Sequence, residues 1–546
     1  MSTHTLKLRS LAVVAGASLL ALTACTGPAG NSGSGGSGSG SGGSLTIGTT
    51  DKVTALDPAG SYDNGSLFME TQVYPFLLNV KPQGNEIEPD LAASASFTSP
   101  TEYTVKLRPN LKFANGHTLD STDVKFSFDR IVKINDENGP ASLLENLSSV
   151  AAPDPNTVVF TLKQPNDQTF PGVLTSSAGP IVDHAVFPAD KLMTDEDIAK
   201  AHPFAGAYDV TSYTKNQLVS LKANPNYVGL VDKAKTDVVN VQYYANANNL
   251  KLDIQTNKID VAWRSLSATD IGDLKTKSNV KVQTGPGGEL RYLVFNFNTM
   301  PFGAKTPEAS PQKSLAVRQA VADLIDRQAI STDVYKGTYT PVYSPVASGL
   351  PGAKEPLKSL YGDGSGGPSL DKAKKVLADA GVTGPVTLNL QYNPDHYGPG
   401  SGDEYAKIKD QLDKSGLFKV NLQSTEWTQY SKDRTADLYP VYQLGWFPDY
   451  TDADNYLSPF FSKDNFLHNH YDNAQVQTLI QQQRVETDKA KRADLIGQIQ
   501  DLEAKDLSTL PMLQGNQVAV SGTNVSGVDT TLDAAFKFRA AVISKK

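Results

Sequence analysis

Residues 101–131, TEYTVKLRPNLKFANGHTLDSTDVKFSFDRI, hold a strand, a turn and a helix in direct succession. Residues 103–108 (YTVKLR) alternate apolar and polar side chains, the period of a strand with one buried face. Asn115-Gly116 is a turn signal, because both residues tolerate left-handed backbone. Residues 118–131 then read as a capped helix: Asp120 or Ser121 can cap it, and Val124, Phe128 and Ile131 fall on one face.

The same alternation continues outward. Val317, Val321, Leu324 and Ile325 mark a second amphipathic helix. Ser369 caps a third at residues 371–380 (DKAKKVLADA), and Gly381 stands where a helix stop is expected. A long polar-rich helical region is predicted from Asn473 to about Lys505, carrying Leu479, Ile480, Leu495, Ile499 and Leu502. Strands are predicted at 292–298 (YLVFNFN), 386–392 (VTLNLQY) and 438–444 (LYPVYQL). Strands alternating with helices imply α/β construction. A chain of 546 residues is too long for one hydrophobic core, so at least two lobes are expected. Hydrophobic content is 39% and charged content 20%, an ordinary globular balance.

The first residues form a separate unit. Lys7 and Arg9 precede a short apolar run at 11–22, and the sequence then reads Leu22-Thr23-Ala24-Cys25. That is the layout of a secretory signal, too short for a membrane span. Small residues before a cysteine resemble the lipobox of bacterial lipoproteins, in which the cysteine is diacylated and becomes the mature N-terminus. Cys25 is the only cysteine in the chain, so no internal disulfide can form. Residues 27–44 are almost entirely Gly and Ser, a flexible tether. Its G-x-G-x-x-G matches, with no strand before and no helix after, are accidents of composition. Formal charge is −8 and becomes −10 once Lys7 and Arg9 are removed, with no basic cluster for nucleic acid. Membrane attachment must therefore come from lipid, and the two acyl chains on one cysteine suffice.

Further residues carry a family resemblance. The 101–131 segment, Leu56-Asp57-Pro58, Val317-Arg318-Gln319-Ala320 with Asp326-Arg327, and residues 374–381 before Tyr392-Asn393 stand in the family order. Together they resemble the extracellular solute-binding proteins of family 5, the dipeptide- and oligopeptide-binding lipoproteins of bacterial ABC importers. The resemblance implies a periplasmic-binding-protein-like clamshell (type II-like) with an extra subdomain in the first lobe, and a ligand swallowed between lobes. On this reading residues 1–24 are the signal peptide and 25–44 the lipidated cysteine and tether. Residues 45–285 form lobe I with the extra subdomain at about 78–190, 289–515 form lobe II, and 516–546 return to lobe I. Gly285-Pro286-Gly287-Gly288 and the chain near Gly515 would be the hinge, the Gly-rich run absorbing rotation. The expected partners are a small ligand (a peptide), the permease and ATPase subunits, and the membrane through its lipid. The protein is expected to be a monomer without cofactor or metal.

A peptide receptor must give a buried α-ammonium a carboxylate, since an unpaired buried charge is costly. Gly445-Trp446-x-x-Asp449 resembles the family motif whose aspartate holds that group, which implies Asp449 for the ammonium and Trp446, with Gly445, for the lining. The plainer readings are a turn or cap residue for Asp449 and core packing for Trp446. Asp452 and Asp454 read as turn or cap residues. Trp427, after Glu426, and Arg434 resemble pocket and carboxylate-binding residues of oligopeptide members, with a surface salt bridge as the plainer reading of Arg434. Gln443 stands where some members have arginine. Trp263, just before Arg264, faces either cleft or core.

No H-E-x-x-H and no P-loop occurs, and Ser212-x-x-Lys215 lacks an accompanying K-T-G. His468, His470 and Asp472 lie in a polar loop and read as solvated rather than metal-binding. These features point to a non-enzymatic receptor. An oligosaccharide, nickel chelate or haem as ligand is the alternative within the family, and a cell-surface hydrolase or adhesin the alternative outside it.

Overall fold

A computed structural model of the chain describes residues 43–546 apart from Asn85, Asp464 and Ala535. The signal, Cys25 and most of the tether lie outside the described residues.

The strand, turn and helix of residues 101–131 form as their pattern predicts. Glu102–Leu107 is a strand and Ser121–Ile134 a helix. Asp120 caps the helix, and Asp123 accepts from the Asp120 backbone N–H at 2.9 Å, a reciprocal capping box. Val124, Phe128 and Ile131 are buried together against Val158 and Phe160. The strand belongs to a four-stranded antiparallel sheet with Ala92–Ser99, Thr157–Leu162 and Leu147–Asp154.

Two larger sheets organise the two lobes. One has seven strands in the spatial order Val280–Gly285, Gln517–Gly522, Val261–Trp263, Leu45–Thr49, Val238–Tyr243, Leu218–Ala223 and Tyr208–Thr214. The other has six, in the order Tyr339–Pro341, Thr509–Gly515, Leu290–Phe295, Val441–Trp446, Val386–Tyr392 and Phe418–Ser424. Side chains of Leu290–Phe295 alternate between two cores: Leu293 and Phe295 join the one covered by helices Pro311–Leu324 and Ser401–Lys414. Leu290, Tyr292 and Val294 join the one covered by Ala474–Val485 and Lys489–Asp506. Burial on both faces explains why the strand reads as a continuous apolar run.

Three predicted elements shift. The region from Asn473 to about Lys505 is two helices, because Asp488 accepts from Ala490 and Lys491 N–H at 3.0 Å and starts a new one. The strand predicted at 438–444 forms as Val441–Trp446: Leu438 is exposed, and Pro440 has no N–H for a ladder. The strand predicted at 292–298 begins two residues earlier and includes Arg291. It ends where Asn296 Oδ1 accepts from Asn298 N–H at 2.9 Å.

The chain passes between the large sheets twice, at residues 285–290 and 515–517. The two crossings touch. Gly515 N–H donates to Glu289 O at 2.9 Å, and Gln514 Nε2 to Gly287 O at 2.7 Å. A Cβ on Gly287 would sit 1.9 Å from Gly515 O. Glycine is therefore required here by the close approach of two backbones. After the second crossing, the C-terminal segment lays Phe538 against Phe68 and Trp263, with ring centroids 6.1 and 4.9 Å away.

Gly287→Ala must force the crossings apart, an overpacking expected to cost about 1–3 kcal/mol. Gly272→Ala, in a short helix with open space at its Cβ, should instead stabilise slightly. Urea unfolding midpoints of the two variants check this; a midpoint for Gly287→Ala at or above that of the parent would contradict it.

Candidate ligand site

Between the sheets, beside the crossings, lie two adjoining cavities of about 540 and 510 Å³. Arg264, His396, Tyr397 and Phe447 line both. The second cavity takes Tyr62 and Leu67 from the seven-stranded side, and Trp427, Gly445, Trp446 and Asp449 from the six-stranded side.

The strand Val441–Trp446 delivers this wall. It runs antiparallel to Leu290–Phe295, with Gly445 opposite Arg291 and Trp446 opposite Leu290. Its parallel ladder to Val386–Tyr392 covers only Val441 and Tyr442, so its last residues are unladdered on that side. A Cβ on Gly445 would lie 2.8 Å from both Leu290 O and the Tyr397 ring, so only glycine fits. Trp446 Nε1 donates to Asn455 Oδ1 at 3.0 Å, and its ring meets Phe460 edge-on at 5.0 Å. Asn455 also binds Asp449 twice: its Oδ1 accepts from the Asp449 N–H at 2.9 Å, and its Nδ2 donates to Oδ2 at 3.0 Å. Tyr62 OH donates to the other carboxylate oxygen. Among the described residues Asp449 has no cationic partner. Burial raises its pKa above the usual carboxylate value, and the donors Asn455 and Tyr62 offset part of that rise. The arrangement is a carboxylate held by neutral donors at a cavity wall.

Trp427 opens the helix Trp427–Thr435 and stacks on His396 with centroids 3.8 Å apart and planes 4° from parallel. Tyr397 stands edge-on to it at 5.7 Å. These rings give the cavity an aromatic wall.

Residues 86–467 match the family profile described as "Bacterial extracellular solute-binding proteins, family 5 Middle". The chain belongs to this family. It is 24% identical over 496 residues to a probable D,D-dipeptide-binding periplasmic protein of Escherichia coli, covering 88% of this chain and 90% of that one. A nickel-binding protein of Staphylococcus aureus is 23% identical, with 83% and 86% covered. The fold matches the ABC transporter substrate-binding protein CtaP of Listeria monocytogenes at a TM-score of 0.77 and 22% identity, covering 92% of this chain and 99% of that one. The mixed α/β architecture is thus the two-lobed fold of family 5 solute-binding proteins, which are extracytoplasmic binding subunits of ABC importers.

Within this family 5 protein, not every residue singled out in the sequence reaches the cleft. Gly445, Trp446, Asp449 and Trp427 line one cavity together. Arg434 does not. It is buried behind them, donating to Phe466 O at 2.8 Å and Leu467 O at 3.4 Å with its guanidinium 4.6 Å from the Phe466 ring. Both the ligand-carboxylate and the surface-salt-bridge readings of Arg434 are therefore corrected: it anchors a loop. Trp263 is core, 2% exposed, at 4.9 Å from Phe68. Asp452 caps a short 3-10 turn and pairs with Arg492 at 2.7 and 2.8 Å. Asp454 is buried against Ser458 and Gln483, its pKa pushed up to about 6 by burial. Gln443 is buried, bound to Asn393 and Ser401. His470 pairs with Asp437 at 2.5 Å, and the described residues do not bring His468, His470 and Asp472 into one ligating group. Lys215 is held by Asp195 and Thr54 O.

Sequence reasoning missed Tyr62, His396, Tyr397 and Arg291. Arg291 is 3% exposed, with Nε 3.2 Å from Glu289 and Nη1 3.2 Å from Glu404 and 2.8 Å from Tyr335 OH. Its other nitrogen donates to Tyr339 OH at 3.1 Å and to Tyr397 O. The one available signal was a charged pair, Glu289 and Arg291, flanking Leu290 at the head of an apolar strand.

Proposed function

We propose that this chain captures short peptides for a bacterial ABC importer, with the ligand's α-ammonium on Asp449 and the protein held at the outer face of the membrane by a diacylated Cys25. The observation that carries the reading is Asp449: a cavity-facing, largely desolvated carboxylate supplied only with neutral donors. A half-buried carboxylate without a cationic partner accommodates an ammonium. The aromatic wall of Trp427, His396 and Tyr397 accommodates side chains of varied shape. The similarity to a probable D,D-dipeptide-binding protein supports the same ligand class. On this proposal residues 1–24 are removed and 25–44 tether the body. Residues 45–285 with 516–546 close on 289–515, and the monomer hands its ligand to the permease without catalysing a reaction.

The similarity to a nickel-binding protein makes a metal chelate the second reading, with His396 at the cavity wall as the residue favouring it.

Asp449→Asn keeps the shape and removes the charge, leaving the ligand ammonium desolvated. That typically costs about 2–5 kcal/mol, or roughly 30- to several-thousand-fold in affinity. N-acetylation of the peptide should cost wild type a similar factor and the Asp449→Asn variant far less, so the two losses are non-additive. Because the Asp449 pKa is raised, wild-type affinity should fall on acidification at higher pH than an ordinary aspartate would dictate, and the variant should not follow. Isothermal titration of the four combinations checks this; additive losses, or tight binding of an acetylated peptide, favour the chelate. For the anchor, Cys25→Ser should move the protein from the membrane fraction to the medium. A variant that still sediments with membranes, at the parent's mass, would refute lipidation.

A further inference from the structure

The four-stranded unit touches the six-stranded side of the cleft, although no chain segment joins the two directly. In sequence its strands lie between Leu45–Thr49 and Tyr208–Thr214, both in the seven-stranded sheet, so the unit is covalently part of that side. The contact comes from two pieces of the other side: the turn after Val441–Trp446 and the end of the helix Ala474–Val485.

Tyr450 belongs to that turn, yet its ring packs into the apolar core of the four-stranded unit with Phe170 and Val173. It is 9% exposed. Its seat is Gly172, in the short helix Phe170–Val173, where a Cβ would lie 2.6 Å from Cδ2 of the ring. Nearby, Gln168 N–H donates to Arg484 O at 2.8 Å, and Arg484 Nη2 is 3.5 Å from Asp167 Oδ2. The rest of the turn is tied to its own side. Asp452 pairs with Arg492 at 2.7 and 2.8 Å, and Tyr456 OH donates to Gly288 O at 2.7 Å, at the first crossing. Asp449, one residue before Tyr450, lines the cavity of about 510 Å³.

These contacts between the sides are separable. The ring lies on bare backbone, with no Gly172 side chain to obstruct its withdrawal. The backbone bond is single, and a long, partly exposed ion pair adds little. Burial of an aromatic ring nevertheless favours the joined state, because it removes a large apolar area from water. One ring and one hydrogen bond between units that share no chain link suit fastening and release.

We propose that Tyr450 is a clasp by which the four-stranded unit holds the cleft shut, with Gln168 and Arg484 completing it. The inference rests on the two sides of the cleft moving about the crossings, and it is independent of which ligand Asp449 receives. When the sides part, the ring leaves the Gly172 seat and the Gln168 amide loses its acceptor, while the ladder inside the four-stranded unit stays bonded.

The test uses the ligand-free full-length protein and hydrogen exchange resolved to single amides. The Gln168 amide reads the clasp, and the ladder amides between Glu102–Leu107 and Thr157–Leu162 read the stability of the unit itself. Tyr450→Ala should speed exchange at Gln168 by roughly tenfold or more and leave the ladder amides unchanged. Gly172→Ala fills the seat from the opposite face, at a position that needs no left-handed backbone, and should act in the same direction with the ring intact. Arg484→Gln keeps the carbonyl acceptor and should change Gln168 exchange by at most about fivefold. Small-angle scattering should give Tyr450→Ala and Gly172→Ala a larger radius of gyration than the parent. Unchanged Gln168 exchange in both variants would overturn the proposal. Equal acceleration of Gln168 and the ladder would make Tyr450 a core residue of the unit and overturn it as well. Faster Gln168 exchange at an unchanged radius of gyration would mean that the crossings alone hold the sides together; the clasp would then fail while the Asp449 reading stood.

Discussion

A cation inside a central strand is the fixed point of this molecule. Arg291 sits within Leu290–Phe295, 3% exposed, and its partners come from several elements on the six-stranded side of the cleft. Glu289 belongs to the first crossing, Glu404 to the helix Ser401–Lys414, and Tyr397 O to the loop that forms the cavity wall. Buried ion pairs add little net stability, because desolvation cancels most of the attraction, but removing one partner is costly. The effect of such a network is positional. It fixes Tyr397 against Gly445, and Gly445 has no side chain because that space is already taken.

From that point the cleft follows. Two chain crossings in backbone contact keep the sheets adjacent yet connected by few residues, a geometry suited to hinge closure. The wall delivered by Val441–Trp446 ends at Asp449, whose carboxylate is held by Asn455 and Tyr62. Those donors come from opposite sides of the cleft, so the carboxylate already spans both lobes. A ligand ammonium would join contacts that both lobes share, and shared contacts favour the closed population.

Local structure was largely legible in the sequence. The capping box at Asp120 and Asp123, the cap at Ser369 and the alternation of strand residues are signals carried by neighbours in the chain. The Gly-Trp-x-x-Asp pattern led to the cavity because those residues sit on one continuous strand and turn. Failures occurred where partners are distant. Arg434 resembles a ligand-binding residue until the carbonyls of Phe466 and Leu467 are seen to take its donors. Arg291 was absorbed into an apolar strand, and Tyr62 has no local pattern, being placed only by a partner 387 residues away. The break between Ala474–Val485 and Lys489–Asp506 carries neither glycine nor proline, so periodicity ran across it.

The central claim is that the cleft is built for a ligand with a free α-ammonium. Protein purified without denaturation from its native host, then extracted with acid, releases whatever the cleft has captured, and mass spectrometry of that extract identifies it. The account predicts stoichiometric short peptides with unblocked N-termini, absent from Asp449→Asn protein prepared in parallel. Recovery of an oligosaccharide, a metal chelate or only N-blocked peptides would contradict it.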